Sequence, residues 1–317
     1  MIKDFMEGLR NNKMPVHKKL EKLGTLQIGC VETTPVVWKD RLCKFEWVRS
    51  NEWGCGHDER ETGHYRFTDL ESNELIGKPF AHEHAFGCCY EENGVMYAHG
   101  VRGNGGATSF IDVFWSDDLE NWQSQTALEI PEELKIYNTS VCKGKDGTYV
   151  MTVEVGGPKE LVGANYTILF ATSQNLLDWE LLPFDKYNYL PERYSACPSI
   201  RYFDGMYYMV YLEGMPCYRW IPYIVRSADL LEWEIALYNP FMLFGDEDKK
   251  LLYPDRFSDD EKIYIENAVN INNSDVDFCE YKGKTYVTYS WGNQLGKEFL
   301  ALAKYDGGLE EFLKSFF

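Results

Sequence analysis

The sequence predicts an all-β five-bladed β-propeller with four antiparallel strands per blade, and three observations carry that expectation. A tight turn followed by an aromatic-rich strand recurs five times, as Asp40-Arg-Leu, Asn93-Gly-Val-Met-Tyr, Asp146-Gly-Thr-Tyr, Asp204-Gly-Met-Tyr-Tyr and Lys282-Gly-Lys-Thr-Tyr. A second pattern, Ser-x-(Asp/Asn)-Leu-x-x-Trp, stands at Ser116–Trp122, Ser173–Trp179 and Ser227–Trp233, spaced by 57 and 54 residues. Aromatic residues make up 15% of the chain, which suits pleated sheets where flat side chains pack across strands.

Each element follows from these repeats. Asn-Gly and Asp-Gly supply the positive φ that two-residue hairpins need, and alternating apolar residues flank them. The turns fall at 40, 94, 147, 205 and 283, so four strands fit in each interval of 54, 53 or 58 residues. The last interval, 78 residues, leaves room for an insertion, the charged and loop-like stretch Phe244–Glu266. The Ser-to-Trp pattern reads as a hairpin or loop whose Trp packs under the next strand. The repeats run from about Leu26 to Tyr305 within a single domain covering residues 1–317. Residues 1–24 form a peripheral N-terminal extension, and the tail from Leu309 has helical spacing.

Composition narrows the partners. A formal charge of −18 argues against nucleic acid, whose phosphates need a basic footprint, and against an anionic membrane surface. No run of about 18 apolar residues offers a membrane span. Nine cysteines, without paired metal-ligand spacing, read as reduced, mostly buried thiols. With no secretory leader in the N-terminal residues, the expected location is cytoplasmic.

Propeller geometry selects candidate site residues. The start of the innermost strand and the end of the second strand of each blade meet at one face, the mouth of the central funnel. Inner strands are expected to begin near Glu32, His84, Asn138, Ser195 and Asp275; second strands are expected to end near Arg49, Arg102, Glu154, Glu213 and Asn293. Carboxylates brought together there raise one another's pKa, so that one can serve as acid while another stays a base. Arg49 and Arg102 can clamp an anionic group or form salt bridges. Trp53, Trp220 and Trp291 are stacking platforms for a sugar or core residues. The glycine-rich Gly103–Thr108 reads as a loop that lets a ligand approach the backbone.

The blade grammar, with an acidic residue near a Pro and an aromatic strand such as Tyr207-Tyr-Met-Val-Tyr-Leu-Glu-Gly214, resembles the five-bladed propeller glycosidases. The group is glycoside hydrolase family 43 with its relatives, families 32, 62, 117 and 130. The resemblance implies a general base at Glu32, where family 43 carries an Asp. Its pKa-tuning Asp falls on Asn138, and its general acid on Ala196–Cys197, where there is no carboxylate. The acid must then come from Glu213, Glu154, Asp275 or His84. His at such a position resembles family 117.

The expected activity is hydrolysis of an oligosaccharide bound in the funnel. Two alternatives stand beside it: a carbohydrate-binding propeller without catalysis, and a phosphorolytic enzyme that takes phosphate at Arg49 and Arg102. No cofactor is required by this chemistry, and a structural Ca²⁺ in the channel would draw on oxygens such as those of Asp275 and Asn138.

Overall fold

The computed structural model describes residues 20–49, 63–103, 108–217, 219–295 and 298–317. Strand β1 (Glu21–Ile28) is the first of the described strands, and its blade is completed only by strands near the other end of the chain. Blade I follows as β2 (Thr33–Trp38), β3 (Arg41–Val48), β4 (His64–Asp69) and β5 (Leu75–Phe80). Blade II comprises β6 (His84–Glu92), β7 (Val95–Arg102), β8 (Phe110–Ser116) and β9 (Gln123–Glu129). Blade III has β10 (Lys135–Lys143), β11 (Tyr149–Gly156), β12 (Tyr166–Ser173) and β13 (Trp179–Leu181). A fifth short strand, β14 (Asn188–Tyr189), also pairs with β12, and a helical turn α1 (Lys159–Val162) links β11 to β12. Blade IV runs β15 (Ser195–Phe203), β16 (Met206–Met215), β17 (Arg219–Ser227) and β18 (Glu234–Ile235). Blade V is β19 (Asn272–Tyr281), β20 (Lys284–Gly292) and β21 (Phe299–Tyr305), with β1 as its outermost strand.

The five hairpin turns form as the sequence predicts. Two consecutive residues in each have positive φ, among them Asn93 and Gly94 (54° and 82°) and Asp204 and Gly205 (49° and 80°). That backbone matches the twist of the flanking strands. The Ser-to-Trp pattern closes the turn between the third and fourth strands. Ser173 Oγ accepts the Leu176 N–H at 3.0 Å, and Trp179 Nε1 donates to the Leu176 carbonyl at 3.1 Å. The copies at Ser116 and Ser227 make the same two bonds. Each Trp then packs on the preceding blade. Trp122 stacks on Phe80 at 3.7 Å, Trp179 meets His99 edge-on at 5.3 Å, and Trp233 stacks on Phe170 at 5.8 Å.

Two boundaries differ from the sequence reading. Glu21–Gly24, expected within the extension, belong to β1, because their backbone pairs with β21. The insertion after blade IV is less loop-like than its charge suggests. It holds two 3₁₀ turns and helix α2 (Asp259–Asn267). Ser258 and Glu261 cap that helix reciprocally, a Ser-x-x-Glu signal present in the sequence. The tail forms helix α3 (Leu309–Lys314), which buries Leu309, Phe312 and Leu313 against blade V.

The insertion is anchored by Asp248, whose side chain is fully buried. Its Oδ1 accepts from Lys22 Nζ at 2.6 Å and Tyr289 Oη at 2.8 Å; its Oδ2 accepts from Gly245 N at 3.0 Å and Asn270 Nδ2 at 2.8 Å. One carboxylate thus ties β1, the insertion and β20 together. Asp248→Ala strands the Lys22 ammonium, only 13% exposed, without its counter-ion. The expected loss is about 3–5 kcal/mol of unfolding free energy, measured by urea denaturation.

Candidate functional site

Four of the five inner strands share one irregularity. The ladder slips between Ala85 and Cys88 in β6, Ile136 and Thr139 in β10, Ala196 and Ser199 in β15, and Ser274 and Asp277 in β19. These are β-bulges, which re-aim side chains at a sheet rim. The first bulged residue has left-handed backbone in three blades, at Phe86 (φ 50°), Cys197 (47°) and Asp275 (49°). Glu32, immediately before β2, has φ 53°. In β10 the bulge comprises Tyr137 and Asn138.

These four left-handed residues line one cavity of about 440 Å³, together with Arg49, Tyr166, Tyr194, Trp220, Gln294 and Glu298. Beneath it a narrower cavity continues between the inner strands, where Asn138, Thr139, Ser199 and Asp277 meet. Inter-blade hydrogen bonds hold the strands here. Ser199 Oγ donates to the Val276 carbonyl at 2.6 Å, and Thr288 Oγ1 to that of Thr33 at 3.1 Å.

The cavity's electrostatics follow from burial. Burial pushes the Glu32 carboxyl up to about 8; Arg49, whose Nη2 lies 3.2 Å from Glu32 Oε2, pulls it down, while Asp275 and Glu154 push it further up. Glu154, 3% exposed, is pushed up to about 7 by burial. Its Oε2 accepts the Cys197 N–H at 2.7 Å and Asn138 Nδ2 at 2.9 Å, which oppose the rise, and the charge of Asp275 adds to it. Glu298 is also pushed up to about 7, first by burial, against the Gln294 N–H and with Asp275. Burial raises the Cys197 thiol well above its usual value, and the nearby Asp275 and Glu154 add to that. A thiol so placed stays protonated and is a poor nucleophile.

The structure therefore brings together Glu32, Asp275, Glu154, Asn138 and Arg49 from the residues that the sequence singles out. Others lie elsewhere. His84 Nε2 is 2.9 Å from Asp112 Oδ2, and Arg102 Nε donates to the same oxygen at 2.8 Å, so both belong to an ion-paired cluster in blade II that does not line the cavity. Glu213 is held by Arg193 at 2.9 Å and by the Tyr211 hydroxyl at 3.0 Å, while its neighbour Leu212 faces the cavity. Trp220 lines the cavity; Trp291 is a core residue, fully buried, stacked on Phe299 at 4.2 Å and donating to Thr25 Oγ1. It has no free face for a ligand. Trp53 and residues 104–107 of the glycine-rich loop lie outside the described residues.

Sequence reasoning missed Glu298, Tyr166, Tyr194 and Gln294. Tyr194 directly precedes β15, a position that the strand-start argument could have reached. Glu298 follows β20 by six residues and carries no motif. Among the described residues, no group of three or more His, Cys, Asp or Glu side chains is arranged to hold a metal ion.

No protein-family model and no curated protein matches the chain. Its fold is similar to solved structures. A thermostable family-43 glycoside hydrolase superposes with a TM-score of 0.59 at 14% identity, covering 91% of this chain and 92% of the other. A glycosyl hydrolase from Bacteroides ovatus gives 0.57 at 13% identity, covering 92% of each chain. A family-43 enzyme from Xanthomonas citri, solved with xylose, gives 0.54 at 13% identity, covering 95% and 92%. Identities this low establish a shared fold. The pairing at the cavity is open to direct test. Arg49→Ala removes the cation opposing the rise at Glu32, whose titration should move up from about 8 by about 1–3 pH units. Carboxyl-stretch infrared titration reads this shift.

Proposed function

We propose that this chain, which shares its fold with family-43 glycoside hydrolases, hydrolyses a glycosidic bond in the funnel by carboxylate acid/base chemistry. The observation that carries the reading is the convergence of Glu32, Asp275 and Glu298, with Glu154 behind them, on a cavity walled by Phe86, Tyr166, Tyr194 and Trp220. Aromatic faces suit the apolar faces of pyranose rings.

Cleaving a glycoside takes a proton donor at the leaving oxygen and a carboxylate on the other side of the sugar, acting on water or on the anomeric carbon. With its carboxyl pushed up to about 8, Glu32 holds a proton at neutral pH. The charge of Asp275 contributes to the raised values of Glu32, Glu154 and Glu298. This supports Asp275 as the carboxylate partner and Glu32 as the donor, with Glu154 adding to the field that keeps Glu32 protonated. The resemblance to family 43 implies the base role for Glu32; its burial favours the acid role. The phosphorolytic alternative draws less support, because Arg49 already pairs with Glu32 and Arg102 with Asp112.

Two outcomes check the assignment on a panel of aryl glycosides and neutral oligosaccharides. Glu32→Gln should lower kcat by about 10²–10⁴-fold while the thermal unfolding transition stays in place. In the wild type, kcat/KM should fall as pH rises through about 8, since the reactive form of an acid is the protonated one. A rate that instead climbs through that range would put Glu32 on the base side.

A further inference from the structure

Three junctions between neighbouring blades are filled by an indole. Trp122 of blade II lies on Phe80 and Phe67 of blade I, with ring centroids 3.7 and 6.0 Å apart. Trp179 of blade III meets His99 of blade II, and Trp233 of blade IV lies on Phe170 of blade III. Each indole comes from the turn between the third and fourth strands of its blade. In blade I that turn is Asp69–Glu74, and it holds no Trp. The Asn73 N–H donates to the Asp69 carbonyl and the Asp69 N–H to the Glu74 carbonyl, both at 2.9 Å. Glu74 directly precedes β5, the place that Trp122 holds before β9 and Trp233 before β18.

Where that turn faces blade V there is a cavity of about 360 Å³, within the usual range of small-ligand sites. Leu70 and Glu71 line it from the turn, Leu302 from β21 and Leu23 from β1. β21 and β1 are the third and fourth strands of blade V, as the strands bearing Phe67 and Phe80 are of blade I. Tyr253 of the insertion and Tyr281 and Tyr286 of blade V close the walls. The cavity lies on the face opposite the funnel mouth, because Arg41, also in its wall, begins β3, whose other end leads to Arg49. Leucine side chains and tyrosine rings offer the hydroxyls of a sugar few partners, whereas a flat ring gains contact on both faces. Charge in the wall is balanced among the described residues, with Arg41 and Lys304 against Asp69 and Glu71, and Arg41 is already bonded to Asp69 at 3.1 Å. A neutral ligand therefore fits better than an ion.

We propose that this cavity is a second binding site, which takes the neutral, flat aromatic ring system of a small molecule of about indole size. The ligand's ring stands where Trp122, Trp179 and Trp233 stand at the other junctions. This site is separate from the funnel and does not depend on the hydrolase reading. A bound ring adds apolar contact between blades I and V, the pair of blades whose turn supplies no indole of its own.

Calorimetric titration of the full chain with indole tests the proposal, and a Kd of about 1 mM or tighter is expected. Two variants locate the site by filling it from opposite walls. Glu71→Trp alters an exposed turn residue and leaves the core intact; Leu23→Trp fills the cavity from β1. At least one of them, with its thermal unfolding transition no lower than that of the wild type, should weaken indole about tenfold or more. No binding of indole by the wild type overturns the proposal. So does an affinity that stays within about twofold in both variants, which would place the ligand elsewhere. Glucose binding as tightly as indole, or tryptamine or indole-3-acetate binding about tenfold more tightly, overturns the assignment of a neutral aromatic ligand.

Discussion

The antiparallel pairing of β1 with β21 joins the first described strand of the chain to the last of the five sheets, and the cavity depends on that closure. An open row of blades would leave two sheet edges and would let the inner strands splay. With the ring closed, each blade is wedged between two neighbours, and three of the wedges are the same Trp on the preceding sheet. The seam itself is polar. Lys44 Nζ reaches Gln27 of β1 at 2.7 Å and Glu46 at 2.7 Å, and Arg66 Nε reaches the other oxygen of Glu46 at 2.6 Å. Two cations hold the buried Glu46 carboxyl down near 2 despite the opposing effect of burial. The Lys44–Gln27 contact crosses from blade I to blade V, the blades that supply Glu32 and Asp275, while the Lys22–Asp248 pair fixes β1 to the insertion within blade V.

The bulges turn closure into a site. A regular strand alternates its side chains between its two faces and would aim few of them along the ring axis. Left-handed backbone at Glu32, Phe86, Cys197 and Asp275 breaks that alternation at the rim. Such conformations cost about 1–3 kcal/mol each in residues with a Cβ, and they persist where the surrounding packing over-determines them. Their recurrence at matching positions in four blades makes them a feature of the fold. What differs between blades is the residue placed there: two carboxylic acids, a thiol and a phenyl ring. The same crowding that buries these groups raises the carboxyls of Glu32, Glu154 and Glu298, which is the electrostatic content of the functional reading.

Much of this was legible in the residues. Hairpin turns depend on two adjacent positions, and the Ser-to-Trp loops on seven, so local chemistry specifies them and repetition counts them. Glu32 and Asp275 could be found because inner-strand starts lie at a fixed distance before each turn. His84 and Trp291 show where that rule fails. His84 begins β6, but the bulge puts Phe86 at the rim two residues later. Trp291 is the penultimate residue of β20, where strand alternation and the neighbouring Phe299 draw it into the core. Glu298 was out of reach, because the loop after β20 has no repeat counterpart and its position depends on backbone contacts with Asn293 and Gln294.

By itself the sequence determined the number of blades, the turns between their strands and the rim that most candidate residues approach. Those properties reside in short contiguous segments whose backbone preferences act locally. Tertiary structure alone decided which carboxylates meet, which arginine is already committed to a partner and which aromatic rings face the cavity. Such choices depend on bulge geometry, on burial and on charges brought together from residues as far apart as Glu32 and Glu298. No local pattern encodes a desolvation that arises only when five blades close around the same space.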